Sequence, residues 1–98
     1  MSKSREQFVS HAFEEPRDEI ERSITRIIAD VLDIDRVGRT DSFYDFGGTS
    51  MAAIRICARL EHELGRQAPP YWLFSSDIVA DFAQKVQSGS ALPADAQN

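Results

Sequence analysis

An all-α fold is predicted for this chain: three main helices plus one short minor helix, with a long ordered loop between the first and second. Three observations predict it. Apolar residues recur at helical spacing in three separate segments. Turn and breaker residues, among them Gly47-Gly48, Gly65 and Pro69-Pro70, divide those segments. No segment alternates as a convincing strand would, and no internal repeat is present. At 98 residues the chain makes one small domain, near the lower limit for an independent core.

Residues 1–15 are polar and read either as a mobile tail or as a short extra helix. Ser4 and Gln7 fit a capping box, and Phe8, Val9, Ala12 and Phe13 would then share one helical face. The main domain is expected over 16–87. Pro16 suits a first helical turn, and Asp18, Glu19 and Glu21 place acid at that positive end. Ile20, Ile24, Ile27, Ile28, Val31 and Leu32 follow as a core-facing stripe, so the first helix is predicted over about 16–33. From Asp33 to Gly48 no period is sustained. Turn formers alternate there with apolar anchors such as Val37, Phe43 and Phe46, a loop long enough to suggest function.

The second helix is predicted from about Ser50 to Leu64, with Gly65 as its C-cap. Pro69-Pro70 breaks the chain, and Tyr71, Trp72, Leu73 and Phe74 suggest a short helical turn that feeds aromatics to the core. Asp77 suits the N-cap of a last helix running to about Val86, with Ile78, Val79, Phe82 and Val86 inward. Residues 88–98 are small, polar and Pro-containing, and are expected to be disordered.

Composition excludes several classes. Apolar residues are 42 % and charged residues 28 %, with a formal net charge of −5. Two lysines and nine arginines against sixteen acids leave no basic face for nucleic acid. No apolar run approaches a membrane span, and no signal peptide opens the chain. The single cysteine, Cys57, cannot form an internal disulfide, which points to a reducing cytoplasm. One cysteine and two distant histidines make no zinc set, and no Gly-Lys-Ser/Thr follows the glycines, so metal and P-loop readings fail.

The informative block is Asp41 to Met51. A paired glycine turn stands directly ahead of a hydroxyl that opens an amphipathic helix. Thr49 or Ser50 can cap that helix, and a phosphate esterified to Ser50 would meet its free N–H groups and positive dipole end. The block resembles the phosphopantetheine attachment site of carrier proteins, D-x-F-F-x-x-G-G-x-S-L, and most closely that of peptidyl carrier proteins. Asp41, Phe43, Gly47, Gly48 and Ser50 match outright, Tyr44 stands for the second Phe and Met51 for the Leu. The resemblance spans about residues 16–87 and implies the small carrier-protein helical bundle. It also implies 4′-phosphopantetheine, delivered from coenzyme A, on Ser50 beside Gly48 and Thr49.

On a helical wheel Ala53, Ile56, Cys57, Leu60 and Leu64 form the core face of the second helix. Met51, Ile54 and Ala58 form a separate apolar strip beside Ser50, either extra core or a contact surface. In the carrier family the residues just after the modified serine meet partner enzymes, so Met51, Ile54, Ala58 and Arg55 are the expected docking residues. Fatty-acid carriers typically place acids there, whereas this chain has Arg55 and Arg59 and no acid before Glu61. Thr49 also departs from the Asp or His usual before the serine.

A serine hydrolase is the obvious rival. His62 is twelve residues from Ser50 on the same helix, roughly 18 Å along its axis, and out of reach. The G-x-S-x-G elbow lacks its second glycine and a preceding strand. The reading adopted is a free-standing, monomeric peptidyl carrier protein without catalysis of its own, in nonribosomal peptide or related secondary-metabolite biosynthesis. Its expected partners are a phosphopantetheinyl transferase, an adenylation or acyl-loading enzyme, and condensation or tailoring enzymes. A polyketide or aryl acyl carrier, and an unmodified helical adaptor, remain the alternatives.

Overall fold

The computed structural model describes residues 2–89. Four α-helices stand in it: α1 (Glu19–Leu32), α2 (Ser50–Leu64), α3 (Pro70–Ser75) and α4 (Val79–Ser88). Among the described residues there is no β-strand, only isolated bridges at Lys3–Ile34 and Ser42–Ile78. α1 packs against both α2 and α4, and the short α3 packs against the same two helices. Each long helix supplies one apolar stripe. Ile24, Ile27 and Ile28 of α1, Ile56 and Leu60 of α2, and Phe82 and Val86 of α4 are wholly buried. Burying such side chains stabilises by about 1.5–3 kcal/mol each, which offsets the ordering of a small chain.

The ends of the helices show which local bonds set them. α1 begins at Glu19 rather than near Pro16, because Asp18 is the extended N-cap, its carboxylate accepting the Glu21 N–H at 2.8 Å. α2 stops where expected, at Gly65 with φ 64°, whose N–H returns to the Glu61 carbonyl. Pro70 opens α3, where its missing N–H costs nothing.

Asp77 is not the cap of α4; Ile78 holds that position, with no side-chain bond. The reason lies in the backbone. Val79 N–H donates to the Asp41 carbonyl at 3.1 Å and Ala80 N–H to the Arg39 carbonyl at 2.9 Å. The donors a capping carboxylate would serve are already taken. Asp77 instead receives the Ser42 hydroxyl on its carboxylate and the Phe43 N–H, at 2.8 Å, on its carbonyl. The long loop is thereby stitched to the head of α4.

In the segment expected as a loose tail or a short extra helix, one short helical turn forms and the rest is irregular. A single 3-10 turn, Arg5–Gln7, follows Ser4, whose hydroxyl accepts the Glu6 N–H. Phe8 and Val9 pack against the core, and Phe8 meets the Phe46 ring edge-on at 5.7 Å. No helix continues through Ala12 and Phe13; Phe13 instead lies beneath the Arg36 guanidinium, 4.2 Å from its ring centre. The expected C-terminal tail, 88–98, lies from residue 90 onward outside the described residues.

Candidate functional site

Ser50 is exposed at the first position of α2, at the end of a loop whose shape two glycines fix for different reasons. Gly47 has φ 79°, a conformation that side chains disfavour, and its N–H closes the 3-10 turn Tyr44–Phe46 on the Tyr44 carbonyl at 3.0 Å. Gly48 lies flat on the buried Phe43 ring. A Cβ there would come within 2.4–2.5 Å of the ring carbons. Thr49 is the N-cap: its hydroxyl accepts the Ala52 N–H at 3.2 Å and its carbonyl the Ala53 N–H at 2.9 Å. Since Thr49 does the capping, the Ser50 hydroxyl stands outside that bond.

Behind the loop sits a buried polar centre. Asp41 is 0 % exposed, and its carboxylate accepts Arg5 Nε at 2.6 Å, Arg5 Nη2 at 2.9 Å and Gly38 N–H at 2.8 Å. His11 Nε2 lies 2.6 Å from the same carboxylate. Burial pushes the Asp41 carboxyl up, but the bonds from Arg5, Gly38 and His11 outweigh it and hold its pKa below the ordinary value. A second buried acid, Glu21, takes two bonds from Arg39 at 2.9 and 3.1 Å. Those bonds, working against burial, also lower its pKa.

On the outer side Met51 is 73 % and Ile54 54 % exposed, and Arg55 and Ala58 are exposed beside them. Tyr44, half-exposed, donates its hydroxyl to the Phe74 carbonyl at 3.1 Å and so ties the loop to α3. The two arginines of α2 differ. Arg59 pairs with Asp30 of α1 at 2.7 Å, whereas no ion pair involves Arg55 among the described residues. The sequence pattern brings Gly48, Thr49, Ser50 and the Met51 strip together, but it missed Arg5 and His11. Neither lies in a periodic segment, so no sequence signal marked them.

The inward side of α2 offers no chemistry. Burial, with Glu61 adding to it, pushes the Cys57 thiol up to about 12, and His62 lies exposed near the far end of the helix. Among the described residues no cluster of three or more His, Cys, Asp or Glu could hold a metal. No helix is long and apolar enough to cross a membrane.

The model of the family described as phosphopantetheine attachment site matches residues 22–86. Malpibaldin synthetase of Mortierella alpina is 37 % identical over 84 residues, which cover 86 % of this chain and 2 % of that protein. The chain thus spans a small fraction of the synthetase it resembles. A solved "Non Ribosomal PCP domain" superposes with TM-score 0.70 at 28 % identity, covering 82 % of this chain and 99 % of that one. A peptidyl carrier protein solved in complex with the phosphopantetheine transferase Sfp and coenzyme A gives TM-score 0.72 at 25 % identity, over 78 % of this chain and 99 % of that one. With a matching family model and a matching bundle, the chain belongs to the phosphopantetheine attachment site family, among its peptidyl carrier, or thiolation, domains.

Proposed function

We propose that Ser50 is the attachment point, and that the chain serves as a carrier in nonribosomal peptide or related secondary-metabolite biosynthesis. The observation that carries this reading is an exposed serine at the head of α2 whose capping duty has passed to Thr49. A separate transferase would join the 4′-phosphopantetheine group to Ser50 Oγ, with adenosine 3′,5′-bisphosphate leaving coenzyme A. Attached there, the phosphate lies beside the first N–H groups of α2, where the helix dipole favours an anion. The group supplies a terminal thiol on which an aminoacyl or acyl cargo rides as a thioester. Gly48 keeps the backbone low over Phe43, so the serine projects clear of the loop.

The chain itself performs no chemistry in this reading, and it works in the cytoplasm, where coenzyme A and the partner enzymes are met. Met51, Ile54, Arg55 and Ala58 form the face that a loading, condensation or tailoring enzyme would touch; their exposure supports this. Because Arg59 is paired, Arg55 is the charge that such a partner would meet. Incubation with coenzyme A and a broad-specificity transferase, followed by intact-mass measurement, tests the reading. Wild type should gain one arm and Ser50→Ala none. An unmodified wild type would leave an adaptor that docks without an arm.

A further inference from the structure

The segment ahead of α1 is bound to the loop that delivers Ser50. Lys3 N–H donates to the Asp33 carbonyl at 2.8 Å, and Asp35 N–H donates back to the Lys3 carbonyl at 2.7 Å. Arg5 N–H donates to the Asp35 carboxylate at 2.8 Å, and the Arg5 side chain, 1 % exposed, runs inward to Asp41. Its Nη2 also donates to the His11 carbonyl at 3.1 Å, which folds the segment around the guanidinium.

A fully buried ion pair is a poor device for stability alone, since apolar side chains of similar volume serve as well. What two-point guanidinium bonding adds is a fixed position and orientation for the carboxylate. Position matters here. Two residues after Asp41 comes Phe43, whose ring is the floor under Gly48, and Gly48 precedes the Thr49-Ser50 pair. The Asp41 carbonyl also anchors the head of α4 through Val79 N–H. A shift at Asp41 therefore passes to the floor beneath the attachment turn.

We propose that Arg5 is a positioning residue for attachment: through Asp41 and Phe43 it holds Gly47-Gly48-Thr49 in the arrangement a transferase accepts, so residues 3–9 belong to the working carrier. This rests on the reading of Ser50 as the attachment point. Preorganisation of a reacting group by a second layer of fixed side chains is the physical basis.

The test uses the full chain as wild type, Arg5→Ala, Arg5→Lys and Val86→Ala, the last a core truncation away from the loop. Attachment rates with coenzyme A and a broad-specificity transferase are measured across carrier concentrations. Amide exchange at Gly48 and Thr49 is followed in parallel, at a temperature where all variants keep wild-type helicity. Arg5→Ala is expected to lower kcat/KM by about fivefold or more and to speed exchange at both amides, as loss of orientation does. Arg5→Lys should fall between, and Val86→Ala should keep wild-type values. Wild-type kinetics and exchange in Arg5→Ala, or equal slowing in Val86→Ala, overturn the proposal. Should Arg5→Ala fail to fold, Arg5→Lys decides by the same two measurements. A wild type that takes no arm overturns the reading of Ser50 as well, whereas equal modification of all variants overturns only the role of Arg5.

Discussion

The loop that leads into Ser50 and the helix that follows it are held in different ways. From Asp33 to Thr49 the backbone is irregular, and named polar bonds fix it: Arg5 and Gly38 on Asp41, Ser42 on Asp77, Phe43 N–H on the Asp77 carbonyl. From Ser50 to Leu64 the helix satisfies its own backbone, and Ala53, Ile56, Cys57 and Leu60 are left free to pack, all 0–1 % exposed. An irregular segment has no repeating ladder, so each buried donor and acceptor needs an individual partner. On the loop side directional bonds add to the packing of Ile34, Val37, Phe43 and Phe46, whereas on the helix side non-directional packing of side chains does the work.

The largest effect should come from breaking the polar side. Arg5→Ala leaves the Asp41 carboxylate buried without its main partner and is expected to cost about 3–5 kcal/mol in urea unfolding. A loss below about 1 kcal/mol would show that the polar centre does not hold the loop. On the packing side Leu60→Ala should cost about 2–5 kcal/mol, with the exposed strip unaffected.

Acid separates the two sides further. Asp41 and Glu21 have folded pKa values below their ordinary ones. Their contribution is therefore fully present above the ordinary carboxylate range and is lost as pH falls through the lowered values. Stability measured from pH 7 to pH 3 should fall below about pH 4, and Arg5→Ala should flatten that fall. Leu60→Ala should displace the whole curve without changing its shape. The smallest effect is expected outside. Met51→Ala and Ile54→Ala should stay within about 1 kcal/mol of wild type yet slow transfer to or from partner enzymes. Both would be loaded with the arm first, so that a failed transfer reports contact. If Ile54→Ala destabilises as much as Leu60→Ala, the outer strip is core and the contrast between the faces of α2 fails.

Legibility in the sequence follows the same division. Apolar period made α1, α2 and α4 visible, and Gly65 and Pro69-Pro70 marked the breaks, because helical packing writes itself into spacing. The Gly47-Gly48-Thr49-Ser50 turn was visible as a motif, and Thr49 caps as its hydroxyl allows. What the pattern could not show was long-range polar pairing. Arg5 and Asp41 are thirty-six positions apart, and a charged residue in a polar segment looks the same whether it is solvated or buried. Asp77 misled for a related reason. Its type and place suit a cap, but backbone bonds from the distant loop had already filled the role.

Cys57 gives the carrier a practical property. It is the chain's only thiol, and with a pKa near 12 behind the core face of α2 it is on the order of one part in ten thousand thiolate at pH 8. A maleimide or disulfide reagent offered to the folded protein should therefore find almost nothing to react with before loading. Once an arm is in place, the same reagent becomes a stoichiometric counter of free arms, silent wherever a thioester caps them.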